Sequence, residues 1–235
     1  MDLRNVSFNV GNGERAATPR KGLMLAQEEA VKGLAHETHK NLIAHAHRVL
    51  LSLAAPALAP FLAEWPCTEK CRAVLPARLP VVRWLPAASG DAPRFSAALV
   101  AALCGAAPLL AWRQSYTARE AGADFLNNYG WSEMIGVHGP FASKRIACGF
   151  LLLAPSTLYP HHRHEAEEIY MPLAGTTAWQ KGAHPWREQP PGTLIRHASE
   201  EPHAMQTGAR PLLALYLWRS TNLSQKSRLD PPRHA

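Results

Sequence analysis

The segment Tyr159-Pro-His-His-Arg-His-Glu-Ala-Glu-Glu-Ile-Tyr170 holds the densest chemistry in the chain. Within it, His162, His164 and Glu168 have the spacing of metal ligands, Tyr170 follows two residues later, and Gly175 marks a turn. Along an extended strand, alternate side chains share one face. His162, His164, Glu168 and Tyr170 all fall on even positions, so one continuous strand would point them the same way. Imidazole and carboxylate donors suit one divalent transition metal ion such as Zn, Fe(II) or Mn, rather than Ca. The chain carries 12 histidines, so clustering alone says little. The joint pattern His-x-His-x3-Glu-x6-Gly is far more restrictive.

These residues need a scaffold. The length suffices for one sizeable core with a helical extension. From Met24 to about Leu53, apolar residues at Val31, Leu34, Leu42, Ile43, Ala46, Val49, Leu50 and Leu53 step by threes and fours, which predicts an amphipathic helix. His36 and His39 on this helix read as a solvated face rather than a ligand pair. Prolines 56, 60, 66, 76, 80 and 86 break the chain into short pieces, and a second helical block is expected from Pro93 to Arg119. After Ala121 the pattern changes to short apolar runs separated by Gly and Pro: 131–137, 145–153, 168–173, 176–180, 193–196, 203–207 and 212–218. That density of short strands predicts an antiparallel barrel or jelly roll. The expected organisation is a disordered start over 1–20, a helical cap over 21–120, a metal-binding barrel over 121–220 and a flexible tail over 221–235.

The net charge is +7, and part of that excess lies near the two ends. No Lys/Arg stripe marks a nucleic-acid surface. Cys67, Cys71, Cys104 and Cys148 match no zinc-ribbon spacing and read as reduced thiols. The apolar run from Ala97 to Trp112 is short for a membrane span and contains Gly105 and Pro108. A cytoplasmic protein without membrane or nucleic-acid partners is the expectation. The N-terminal helix could pack across a homodimer as readily as onto its own barrel.

The His162/His164/Glu168/Gly175 pattern resembles the first motif of the cupin superfamily, with Ser156 in the place of its leading glycine. Pro190-Pro-Gly192 matches the start of the second motif, but Ile195 stands where that motif places its histidine, leaving His197 and His203 as rivals. A closer resemblance is to the bacterial cupin-type dimethylsulfoniopropionate lyases, the DddL and DddQ group. It is carried by Tyr159-Pro-x-His-x-His-x3-Glu-x-Tyr170, Pro172-Leu-Ala-Gly175, Glu201-Pro-His-Ala-Met205 and Pro211–Trp218, and covers about residues 115–220. The resemblance implies a mainly β cupin barrel with an N-terminal α-helical extension. It also implies a carbon–sulfur lyase that splits dimethylsulfoniopropionate into dimethyl sulfide and acrylate, with His203 rather than His197 as the fourth ligand.

That reaction is a β-elimination. A metal at the substrate carboxylate would stabilise charge developing on the adjacent carbon, the sulfide leaves unaided, and one base remains to be found. Tyr170, two residues beyond Glu168, is assigned as that base, because a nearby cation favours the phenolate. Tyr159 is assigned to orient the substrate or assist the base. Aromatic faces bind soft cations, so Trp179, Tyr216, Trp218, Tyr129 and Trp131 are candidates for a sulfonium cage. The alternatives on the same scaffold are a dioxygenase using Fe(II) or Ni, and a non-catalytic metal- or ligand-binding cupin.

Overall fold

The computed structural model describes residues 19–231, with side chains from residue 32 onward. The expected disordered start at 1–20 lies outside these residues, except for Pro19 and Arg20, which open the first helix. The chain forms two compact units, residues 1–34 and 35–235. The first contributes the opening turns of α1 (Pro19–Ser52). Everything below concerns the second.

The remaining helices are α2 (Ala59–Leu62), α3 (Leu85–Gly90), α4 (Arg94–Ala106), α5 (Ala118–Ala121) and α6 (Ala123–Asn127). In α1, Leu42, Ile43, Ala46 and Leu50 are buried, the three-and-four spacing that the sequence predicts. Not every histidine of this helix is solvated, however. His39 is buried and its Nε2 lies 3.3 Å from the Leu109 carbonyl. The second helical block is shorter than expected: Pro108 sits in a 3-10 turn over Ala107–Leu109, and the chain leaves it extended.

The strands run β1 (Trp112–Arg113), β2 (Tyr129–Gly136), β3 (Phe141–Ala142), β4 (Ile146–Leu153), β5 (Leu158–Arg163) and β6 (Glu167–Ala174). They continue with β7 (Thr177–Lys181), β8 (Arg187–Gln189), β9 (Ile195–His197), β10 (His203–Thr207), β11 (Leu212–Arg219) and β12 (Arg228–Leu229). One sheet has the order β1-β2-β4-β11-β6-β9, with β3 paired to β2, and the other β12-β5-β10-β7-β8. Apart from the parallel β2–β3 pair, the ladders are antiparallel. The result is a largely antiparallel β-sandwich with N-terminal helices.

The larger sheet is buried on both faces, which explains why its strands read as nearly unbroken apolar runs. Cys148, Phe150 and Leu152 of β4, Ile169, Met171 and Leu173 of β6, and Leu213, Leu215 and Leu217 of β11 share one core with the helical residues. The helices are therefore one wall of the sheet's own core. The alternate residues, Ala147, Leu151, Tyr170, Ala214 and Tyr216 among them, join Tyr159, Trp179 and Met205 of the smaller sheet in a second core between the sheets.

Two sequence boundaries shift. The larger sheet takes its first strand at Trp112, inside the expected cap, and the smaller sheet its last strand at Arg228–Leu229, inside the expected flexible tail. Residues 221–231 are tied down. β12 pairs with β5, Arg163 Nε donates to Asp230 Oδ1 at 2.6 Å, and Leu223 and Ser227 are buried.

Candidate active site

The four even-numbered residues do meet, but not along one strand. His162 lies on β5 of the smaller sheet, while Glu168 and Tyr170 lie on β6 of the larger one. His164 falls in the crossing between them. The shared parity does not carry across a break in the strand, so convergence comes from two facing sheets rather than from period-two alternation. β6 alone obeys the rule, sending Glu168 and Tyr170 to the same side.

A bulge brings in Tyr159. On β5 the register advances from His162↔His203 to Tyr159↔Met205, three residues against two. The extra residue falls at the Pro160–His161 step, a place that tolerates proline because a bulge leaves a residue unpaired. Without it, Tyr159 and His162 would face opposite sides. With it, their rings stack at 3.9 Å and 7°. Pro160 thus lies inside β5 without expelling Tyr159 from the strand. At the preceding turn, Ser156 adopts φ 53°, the left-handed conformation in which glycine would be at ease, and Gly175 adopts φ 82°.

His164, Glu168 and His203 are buried, and one ligand atom from each lies within 4.8 Å of the others. Glu168 Oε2 is 3.0 Å from His164 Nε2 and 3.2 Å from His203 Nε2. The Nδ1–H of His164 donates to the Ala166 carbonyl at 2.9 Å, and that of His203 to the Glu201 carbonyl at 2.8 Å. A carbonyl can only accept, so the neutral rings carry their proton on Nδ1 and turn a bare Nε2 toward the carboxylate. Three acceptors facing one another in a buried pocket need a cation between them. A metal ion fits that donor set. Without one, a proton serves: burial opposes charge on His164, yet the Glu168 carboxylate outweighs it and holds the imidazole above its ordinary value. Glu168 stays well below the usual carboxylate range, because His164 and His203 outweigh the desolvation that would raise it.

His162 stands beside this group. Its Nδ1–H donates to Pro160 O at 2.9 Å, its Nε2 is buried without a partner, and its ring meets that of His203 edge-on at 4.1 Å. His197 is not in the triad. It stacks on His203 at 3.9 Å and 14°, and burial pushes its pKa down to about 2.

His164 and Glu168 of the triad, with His162, line a cavity of about 310 Å³. Tyr129, Trp131, Tyr159, Tyr170, Tyr216 and Trp218 all line it. Trp179 does not: it packs behind the wall against Tyr170 at 5.0 Å and against His197. Trp218 does more than line. Its Nε1–H donates to Glu168 Oε1 at 2.5 Å and its ring lies 4.2 Å from that of His164. Tyr159 Oη pairs with Tyr116 Oη at 2.9 Å, and the Tyr116 hydroxyl donates to Ser227 Oγ at 2.9 Å. Burial pushes the phenols of Tyr116, Tyr129, Tyr159, Tyr170 and Tyr216 up.

Sequence reasoning missed the lining residues Arg113, Glu133, His138 and Leu223–Ser227. Of these, only Glu133 left a legible trace. It follows Tyr129 and Trp131 at two-residue steps, a polar residue on the cagelike face of a predicted strand.

The family model for dimethylsulfoniopropionate lyase matches residues 63–214. This chain belongs to the dimethylsulfoniopropionate lyase family. The curated lyase DddQ of Ruegeria pomeroyi is 37% identical over 164 residues, 70% of this chain and 81% of that protein. A crystal structure of DddQ from the same organism superposes with TM-score 0.73 at 34% identity, covering 85% of this chain and 99% of that one. A solved chain described among the lyases RdDddP and RnDddQII gives TM-score 0.75 at 33% identity, covering 84% and 100%. The match to the family model takes in the triad, His162, Tyr159 and Tyr170, and ends before Tyr216, Trp218 and the C-terminal segment. No helix among the described residues is long and apolar enough to cross a membrane.

Proposed function

We infer that this protein cleaves dimethylsulfoniopropionate to dimethyl sulfide and acrylate by β-elimination. The observation that carries the reading is that, in a chain of this family, a buried His164/Glu168/His203 cluster stands at a cavity lined by its His164 and Glu168 and by Tyr170, whose ring centroid lies 6.4 Å from that of His203. A divalent transition metal ion, Zn, Fe(II) or Mn, held by His164, Glu168 and His203 with His162 as the further donor, would supply Lewis acidity to the substrate carboxylate.

Tyr170 is the base. Its phenolate Oη takes the proton from the carbon next to the carboxylate. The C–H electron pair becomes the new C=C bond, and the C–S pair leaves on the neutral sulfide. Burial, and then the Glu168 charge, favour the phenol, so the base forms only when the cluster's negative charge is neutralised. Tyr159, stacked on His162 and hydrogen-bonded to Tyr116, orients the substrate beside the base. Tyr129, Trp131, Tyr216 and Trp218 offer aromatic faces to the sulfonium and no nucleophile to attack it.

The test is headspace dimethyl sulfide release, with acrylate measured in parallel, before and after chelation and on restoring Zn, Fe(II) or Mn. Metal-dependent release with equimolar acrylate is expected, and a folded, metallated sample that releases none rejects the reading. Tyr170→Phe should abolish turnover while retaining metal. Loss of the metal instead would make Tyr170 a ligand rather than the base.

A further inference from the structure

The site described so far has an end for the substrate's carboxylate and aromatic faces for its sulfonium, but no negative charge opposite the sulfonium. The cavity wall contains one that the mechanism does not use. Glu133 is 9% exposed, yet it lines the cavity. It follows Tyr129 and Trp131 on the same face of β2, since alternate residues share a side.

The side chain is held in place by backbone. Its Oε1 accepts from His138 N–H at 2.5 Å and from Gly139 N–H at 2.8 Å. Both donors engage the same oxygen, Oε1, and not Oε2. Gly136, at φ 139°, makes room for the fold-back, because a Cβ there would lie 2.6 Å from Oε1. Burial raises the Glu133 carboxyl above its ordinary value, while the two backbone N–H donors and the Arg72 and Arg113 charges favour its ionised form. Arg72 directs its Nε and Nη2 to the carbonyls of Gly139 and Gly136, at 2.5 and 2.9 Å. Arg113 also lines the cavity but makes no ion pair with Glu133 among the described residues.

Strand register fixes where this charge stands. Glu133 is opposite Gly149, Gly149 opposite Tyr216, and Tyr216 opposite Tyr170. One lateral row of the larger sheet therefore runs from Glu133 to Tyr170, with Cα positions about 14 Å apart over three inter-strand steps. Gly149 keeps the middle of the row low. A Cβ there would meet the Tyr216 ring and hydroxyl at 2.8 Å. The adjacent row pairs Trp218 with Glu168 of the triad. The sheet thus sets a cation-seeking carboxylate at one side of the cavity and the metal cluster at the other.

We propose that Glu133 is the anionic counter-site for the substrate's sulfonium and a determinant of specificity for zwitterionic over purely anionic acids. The proposal rests on the lyase reading above. A substrate with its carboxylate at the triad would put its acidic carbon at Tyr170 and point its sulfonium along the row, toward Glu133 and the aromatic faces. Elimination turns the cation into a neutral sulfide, so the attraction vanishes with the C–S bond and does not retain the product. Glu133 acts in binding, so its loss belongs in KM rather than kcat.

The experiment compares the substrate with 4-methylpentanoate, in which a neutral CH replaces the sulfonium sulfur. Glu133→Gln keeps an oxygen for the two backbone donors and removes only the charge. In the metallated enzyme it should raise the KM for dimethylsulfoniopropionate about tenfold or more, leave kcat within about threefold, and leave the 4-methylpentanoate inhibition constant unchanged or lower. Binding followed by tryptophan fluorescence in Tyr170→Phe and in Tyr170→Phe/Glu133→Gln gives the same ratio without turnover. Glu133→Asp, which keeps the charge, should retain most of the preference and serves as the reading if Glu133→Gln does not fold. Equal weakening of both ligands would make Glu133 a loop-holding residue and overturn the proposal, as would an unchanged ratio. A wild-type enzyme that releases no dimethyl sulfide fails the lyase reading instead, and the two failures are distinct.

Discussion

Replacing Trp218 with Phe tests whether the triad binds metal through an oriented carboxylate. The indole Nε1–H donates to Glu168 Oε1 at 2.5 Å, while the other oxygen, Oε2, faces His164 and His203. Phe keeps an aromatic ring near His164, so packing changes little and the lost hydrogen bond dominates. A hydrogen bond to a charged, buried acceptor contributes about 1.5–3 kcal/mol. At about 1.4 kcal/mol per tenfold, the substitution should weaken metal binding by about 10- to 150-fold, in the range found for partners that orient metal ligands. The assay is competitive titration of Zn against a chromophoric chelator, with circular dichroism confirming the fold. An affinity within twofold of wild type would refute the argument, because Glu168 would then be either held by something else or not a ligand.

Three further outcomes follow from the geometry. Gly149→Ala places a methyl 2.1 Å from Ser132 O and against Tyr216; overpacking of this kind costs about 1–3 kcal/mol, so the thermal midpoint should drop by several degrees and KM should rise as Tyr216 moves, whereas an unchanged midpoint would mean that the strands part freely. Burial first, and then His203, push the His197 pKa down from its ordinary 6.5 to about 2. A depressed folded pKa gives stability that is present above 6.5 and lost as pH falls from 6.5 toward 2. His197→Phe should therefore flatten the pH dependence of chelated-protein stability below 6.5 by up to about 1.4 kcal/mol per pH unit, read from urea midpoints; an unaltered slope would show that His197 exchanges protons freely. Tyr116→Phe removes the hydroxyl linking Ser227 to Tyr159 and should lower kcat severalfold while metal content stays constant; equal activity would reduce Tyr159 to packing.

Much of this site was legible because its information is local. His164 and Glu168 sit four residues apart, and the long apolar helix and most strands announce themselves by spacing. The parity argument named residues that the fold does bring close, but on an incomplete ground, since the strand breaks between His162 and Glu168 and two sheets do the gathering. Tyr159 needed a bulge, and a bulge depends on the partner strand's register, which no local pattern encodes. Tyr116, Glu133 and Ser227 owe their places to partners distant in sequence. The tail misled for a related reason: polar residues near a chain end read as disordered until Tyr116, Arg163 and Glu165 are seen to receive them.

The double-sided burial of the larger sheet has a consequence for how this enzyme can change. In β11, Leu213, Leu215 and Leu217 serve the helical core while Tyr216 and Trp218 serve the cavity. A one-residue insertion there would exchange the two sets, ruining stability and activity in one event. Such a sheet has no neutral face on which substitutions can accumulate. Divergence toward new substrates is thereby channelled elsewhere, into the turns and into residues 223–227, which line the cavity beyond the stretch matched by the family model. A library for altered specificity should be built on that segment first.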